Sequence, residues 1–177
     1  MSSTTLRVLF VCLGNICRSP MAEAIFRHLV KEAGLEETID VESAGTGGWH
    51  AGERPHSGTR AVLQAHQIEI GGKRARQLSR ADLTNFDYII AMDAENVSDI
   101  QSLFGRRVPR LLEFAKQNSE FAQRNSEFAK RNSETSPPGA ILDVPDPYYT
   151  NTFDEVYSLV LAGCRGLLDH IRAEHNL

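Results

Sequence analysis

Between residues 6 and 29 the chain passes from a continuous apolar run to a helical repeat across eight loop residues, and that switch leaves few architectures open. Leu6 to Val11 is short, apolar and β-branched; it ends at Cys12, with Gly14 and Asn15 just beyond. Such a run reads as a strand buried on both faces and entering a turn. Ser19 and Pro20 then supply an N-cap residue and a proline for the first helical position. Ala22, Ile25, Phe26 and Leu29 recur at helical spacing up to Gly34. A strand that is apolar from Val8 to Val11, followed by such a helix, is the unit of a parallel sheet covered on both sides.

The unit recurs along the chain. Ile39 to Ala44 reads as a second strand, followed by a Gly-rich loop, Gly45 to Gly52, that carries the only tryptophan, Trp49. A helix is expected around Ser57 to His66, a third strand at Phe86 to Met92, a helix at Ala94 to Phe104 and a fourth strand at Val108 to Leu112. Thr152 and Glu155 stand at capping-box spacing, and Val156, Leu159, Val160, Cys164, Leu167 and Ile171 then fall on one stripe. The expectation is one three-layer α/β domain over residues 1–177, a four-stranded parallel sheet with helices on both faces, flavodoxin-like or Rossmann-like. Ligands of such sheets sit beyond the carboxyl ends of the strands, which is where the Cys12 loop lies.

Glu113 to Ser133 breaks the pattern with EFAKQNS, EFAQRNS and EFAKRNS, one seven-residue unit written three times. It reads as a tandem duplication inserted into a loop at about 113–135. Heptad spacing sets Phe114, Phe121 and Phe128 on one helical stripe, yet the Asn-Ser pair in each unit lowers helix propensity. A marginal helix, a loop and an oligomer contact all stay open. Ser136-Pro137-Pro138-Gly139 ends the segment.

With 177 residues, 41% of them hydrophobic and 24% charged, the chain is sized for one globular core. A net charge of -4 leaves no overall positive field for nucleic acid, and Lys73, Arg74, Arg76 and Arg80 read as a solvated face. No stretch reaches the ~18 apolar residues of a membrane span. The run Val8 to Leu13 is too short for a signal-peptide core and lacks a cleavage site, so a cytoplasmic protein without membrane partners is expected. An odd count of three cysteines fits reduced thiols.

Cys12-Leu13-Gly14-Asn15-Ile16-Cys17-Arg18-Ser19 places a cysteine at a strand end and an arginine at a helix start six positions on. A loop of that size can turn successive N–H groups inward and, with the helix N-terminus, cradle an anion. Gly14 and Asn15 tolerate the left-handed angles such a turn requires. Arg18 can clamp two phosphoryl oxygens through its planar fork, and the same positive surroundings favour Cys12 as a thiolate nucleophile. A cysteine at a strand end also serves as a small buried hydrophobe, so on spacing alone both readings stand. Asp143-Val144-Pro145-Asp146-Pro147-Tyr148-Tyr149 forms a proline-stiffened loop whose carboxyl group can protonate a departing oxygen.

Together these stretches resemble the low-molecular-weight protein tyrosine phosphatases. VLFVCLGNICRSPMAEAIF follows that family's signature, DPYY matches its second motif, and SAGT at 43 to 46, Trp49, KRARQ at 73 to 77 and FDYIIAMD at 86 to 93 extend the likeness over nearly the whole chain. The resemblance implies a phosphatase acting on tyrosine-phosphorylated proteins through a phosphocysteine, with no cofactor or metal. It assigns attack to Cys12, phosphoryl binding to Arg18 with the amides of Leu13, Gly14, Asn15, Ile16 and Cys17, and acid-base work to Asp146. Ser19 then donates to the Cys12 sulfur, and Asn15 and Ser43 lock the loop. Trp49, Tyr148 and Tyr149 line a slot for a flat aromatic ester. Cys17 is placed to form a reversible disulfide with Cys12, whereas Cys164 falls on the last helix's apolar stripe and reads as core.

The family often carries a loop-supporting histidine at or beside the position of Lys73; here the run is Gly71-Gly72-Lys73. Three rivals are weighed. A thiol-dependent arsenate reductase needs relay cysteines, and there is none between Cys17 and Cys164. Phosphoarginine phosphatases typically carry threonine where this chain has Ile16. A phosphate-binding module without catalysis is expected to lose Cys12 or Asp146, and both are present. His50, His56 and His66 lack metal-ligand spacing. The sequence leaves the oligomeric state and the physiological substrate open.

Overall fold

Why Val8 to Val11 contain no polar residue becomes plain from their place in the sheet. In the computed structural model, which describes residues 5–115 and 142–177, three parallel strands lie in the order β2-β1-β3: Leu6–Cys12 (β1), Ile39–Gly45 (β2) and Tyr88–Ala91 (β3). β1 runs from Leu6 opposite Ile39 to Cys12 opposite Gly45, and on its other side from Val8 opposite Tyr88 to Val11 opposite Ala91. Val8, Phe10 and Cys12 face one core, while Leu9 and Val11 face the other. A central strand has no wet face, so no polar residue fits there.

Arg18–Glu32 (α1), Ser57–Ala65 (α2) and Phe153–His175 (α6) cover the first face; Asp82–Asn85 (α3) and Ala94–Phe104 (α4) cover the second. Pro147–Thr150 (α5) is a single turn in the loop before α6. The expected stripe of α6 is the side turned inward: Val156, Val160, Cys164, Leu167 and Ile171 are fully buried and Leu159 nearly so. Fully burying such a side chain stabilises by roughly 1.5–3 kcal/mol. No helix among the described residues is long and apolar enough to cross a membrane.

Four local expectations need correction. The fourth strand does not form: Val108–Leu112 contributes one bridge, Arg110 to Ala91, and then turns into a 3-10 helix at Leu111–Glu113. Pro109 accepts from Ala91 N through its carbonyl but has no N–H with which to continue a ladder. α1 begins at Arg18, two residues ahead of the expected start, without a side-chain cap. The Ser19 hydroxyl is occupied elsewhere, and Pro20 still falls in the first turn, where its missing N–H costs nothing. Thr152 does not cap α6 either, since its Oγ1 pairs with Thr150 Oγ1 at 2.6 Å. Lys73 and Arg76 are not a solvated face: Lys73 pairs with Glu23, and Arg76 with Glu42 and Asp82.

Most of the heptad repeat, including Phe121 and Phe128, lies outside the described residues. Its first three residues, 113–115, are built into the fold. Ala115 is buried, Phe114 packs edge-on against His170 at 5.2 Å, and a Cβ on Gly166 of α6 would lie 1.7 Å from Phe114 O. Only glycine lets α6 pass that backbone. Deleting Glu113–Ser119 restores the same Glu-Phe-Ala triplet after Leu112, so the melting temperature should stay within ~2 °C, the effect of at most ~1 kcal/mol at this chain length. Removing all three units takes the triplet away, and calorimetry should then show a fall of several degrees.

Candidate active site

The loop from β1 to α1 is held from behind by Asn15. Its backbone is left-handed, with φ 55°, and its buried amide donates from Nδ2 to Ser19 Oγ at 2.8 Å and Ser43 Oγ at 2.9 Å, while Oδ1 accepts from Arg76 N at 2.9 Å. The loop carbonyls are engaged outside: Cys12 O accepts from Thr46 N, Leu13 O from Gly47 N, Ile16 O from His56 N, and Cys17 O from Met21 N and Thr59 Oγ1. No hydrogen bond within the described structure takes up the amides of residues 13–18. The loop is thus a run of unspent N–H donors at a helix N-terminus, an arrangement that binds anions.

Glu23 fixes the direction of the hydrogen bonds. An ionised carboxylate only accepts, so Ser43 Oγ donates to Glu23 Oε2 and must itself accept from Asn15. Ser19 Oγ likewise accepts from Asn15, which leaves its own hydrogen for Cys12 Sγ at 3.0 Å; Ala44 O, at 3.4 Å, is the weaker alternative. The buried Glu23 charge is balanced by Arg27 at 2.7 Å and by Lys73 Nζ at 3.3 Å. Burial pushes the Lys73 ammonium below its ordinary range, with Glu23 opposing the shift. Lys73 Nζ also donates to Ser43 O at 2.8 Å, so Lys73 braces the loop from behind.

Arg18 is 3% exposed and draws three parts of the chain together. NH1 donates to Asp93 Oδ2 and, at 3.0 Å, to Val144 O; NH2 donates to Asp146 Oδ2 at 3.2 Å. Nε has no partner among the described residues. Burial works against this charge, but Cys12, Asp93 and Asp146 outweigh it and hold the guanidinium above its ordinary pKa.

Cys12, Leu13, Gly14, Ile16, Cys17, Arg18, Trp49, His50, Asp146, Tyr148 and Tyr149 line one cleft of about 280 Å³. Ten of these are among the residues expected from sequence; Asn15, Ser19 and Ser43 stand behind the loop as its support. Trp49 is 64% exposed, so it is not a core tryptophan, and Tyr149, edge-on to Tyr148, is 77% exposed. The Asp146 carboxylate caps α5 by accepting from Tyr148 N at 3.1 Å, which seats both tyrosines beside it. Asp143 is outside the cleft, with Oδ1 accepting from Ala94 N and Arg110 NH1.

Sequence reading missed the roles of Asp93, His50 and Glu23. Asp93 follows an apolar strand and caps α4 through Asn96 N, a complete local explanation that hides its bond to Arg18. His50 adjoins Trp49, and the signal that places it in the wall is Glu53 three residues on, which holds its Nδ1 at 3.0 Å. Glu23 lies on the buried side of α1, where a carboxylate is unexpected without a partner.

Comparison with known proteins agrees with this geometry. Residues 7–177 match the profile described as low molecular weight phosphotyrosine protein phosphatase. The chain belongs to that family. It is 47% identical over 174 residues to the low molecular weight protein-tyrosine-phosphatase YfkJ of Bacillus subtilis, covering 96% of this chain and 98% of the relative. Identity to PtpA of Staphylococcus aureus, a phosphatase of the same kind, is 43% over 173 residues, 96% of each chain. The crystal structure of YfkJ superposes with a TM-score of 0.83 at 45% identity, over 98% of this chain and 99% of that one. A Drosophila arginine phosphatase also superposes, with a TM-score of 0.75 at 28% identity over 94% and 98% of the two chains. Like the family, the protein is a phosphoric monoester hydrolase.

All three cysteines are free. Burial, then the neighbouring charges of Cys12 and Asp146, push the Cys17 thiol up to about 12, and burial alone raises Cys164. Both are thereby held in the thiol form at neutral pH. One equivalent of iodoacetate at pH 7 should modify Cys12 alone, inorganic phosphate should protect it, and peptide mapping should find Cys17 and Cys164 unlabelled.

Proposed function

We propose that the phosphatase hydrolyses phosphotyrosine in proteins with Cys12 as nucleophile, Arg18 as phosphoryl clamp and Asp146 as acid and then base. Cys12 Sγ attacks phosphorus, the P–O bond to the aryl group breaks, and Asp146 gives its proton to the leaving phenolic oxygen. Water then attacks the phosphocysteine, Asp146 takes a proton from it, and the S–P bond breaks to release phosphate. Ser19 stabilises the sulfur as nucleophile and as leaving group.

The observation that carries the assignment is the donor count on Arg18. Of five N–H groups, two on NH1 go to Asp93 and Val144 and one on NH2 goes to Asp146. Nε–H and the other NH2 hydrogen remain, enough for a two-pronged hold on a phosphoryl group above the loop amides. Trp49 and Tyr148 flanking His50 give a wall suited to a flat ring, and Ile16 in the cleft favours an aromatic ester over a phosphoguanidine. Arsenate reduction is disfavoured because Cys164 is sealed in the core and gives no relay thiol. We read the chain as one phosphatase domain with a heptad insertion, acting in the cytoplasm on tyrosine-phosphorylated proteins.

Asp146→Asn should lower kcat/KM, which excludes the later hydrolysis step, by ~10²- to 10⁴-fold on aryl phosphates with poor leaving groups and far less on activated ones. Equal losses across a leaving-group series would remove Asp146 from the acid's role. Cys12→Ser should abolish turnover and still bind phosphate, as isothermal titration would record; a tenth of normal activity in that variant would rule out the covalent path.

A further inference from the structure

Asp146 is carried on the proline-stiffened stretch 143–147, and contacts at Asp143 and Val144 aim it. Val144 is fully buried; its N–H donates to Met92 O at 2.8 Å and its carbonyl accepts from Arg18 NH1 at 3.0 Å. Asp143 adds a separate fastening. Its Oδ1 accepts from Ala94 N at 2.9 Å and from Arg110 NH1 at 2.9 Å. Ala94 opens α4, the helix capped by Asp93, which in turn holds Arg18. Arg110 sits on the edge of β3 through its bridge to Ala91. One carboxylate therefore ties the start of the acid loop to the helix end that fixes the clamp, and to a strand edge 33 residues earlier in the chain.

We propose that Asp143 and Arg110 are positioning residues for the general acid: they hold residues 143–146 so that the Asp146 carboxyl meets the leaving oxygen, and they affect turnover only through it. The proposal rests on the reading of Asp146 as acid. Asp143 is no proton donor itself, because it stands outside the cleft and its Oδ1 accepts from a backbone N–H and a guanidinium. The pair is well shielded, 19% exposed at Arg110 and 26% at Asp143, so solvent screens it only in part. Without it, the Val144 hydrogen bonds and the two prolines keep the segment folded, but its lateral hold on α4 is gone. Proton transfer in a transition state demands hydrogen-bond geometry, so a small displacement weakens it while leaving phosphoryl binding alone.

The test compares phenyl phosphate with 4-nitrophenyl phosphate. Asp143→Ala should lower kcat/KM, which reports only the steps up to aryl departure and not the later hydrolysis, roughly 10-fold or more on phenyl phosphate and less than about 2-fold on 4-nitrophenyl phosphate, the acid contributing only where the leaving oxygen needs its proton. Inhibition by inorganic phosphate should not change. Asp143→Asn keeps an acceptor oxygen and should restore most of the rate. Arg110→Gln should act in the same direction as Asp143→Ala, with Arg110→Lys recovering part. In an Asp146→Asn background, adding Asp143→Ala should cost nothing further. If Asp146→Asn itself is insensitive to the leaving group, the acid assignment fails and this proposal with it. If Asp146→Asn behaves as expected but Asp143→Ala slows both esters equally, or costs the same factor with Asp146 already removed, the positioning role alone is overturned. Should Asp143→Ala not fold, Arg110→Gln, which leaves Asp143 on Ala94 N, decides by the same two criteria.

Discussion

A guanidinium buried at the end of a parallel sheet governs much of this structure. Stripping Arg18 of water is tolerable only where carboxylates and carbonyls replace it, and breaking such a buried pair by removing one partner typically costs ~3–5 kcal/mol. The replacements come from distant places in the chain: Asp93 after β3, Val144 and Asp146 from the loop before α5. Meeting the needs of one charge thus brings the anion loop, the head of α4 and the acid loop to one point. The β2-β1-β3 order makes this possible, because parallel strands deliver Cys12, Ser43 and Asp93 to the same edge.

Most of this was legible in the sequence, and the exceptions have a common cause. β1, β2, α4 and the stripe of α6 were readable because burial on a regular element dictates residue type position by position. Val108–Leu112 misled because its apolar residues answer to two cores, Val108 to that beside α4 and the fully buried Leu111 and Leu112 to that beneath α6, and not to strand pairing. Ser19 carried a capping signature yet gave its hydroxyl to Cys12 and Asn15. In each case a tertiary demand displaced a local preference that was correctly read.

The site divides along the same line. Most residues that line the cleft fall within two contiguous stretches, 12–18 and 146–149, so their spacing announces them. Those that hold the first set in place do not. Glu23, Lys73 and Asp93 are scattered over 71 positions and meet only after folding. Lys73 is instructive, since its length lets it reach both Ser43 O and Glu23 from a loop whose composition read as solvated.

The partners of Arg18 also fix its plane. Three of its N–H groups are taken by Asp93, Val144 and Asp146, while Nε meets no partner among the described residues. The side chain's rotational freedom is therefore lost on folding and not on binding, so an anion arriving at the free edge finds the donors already aimed.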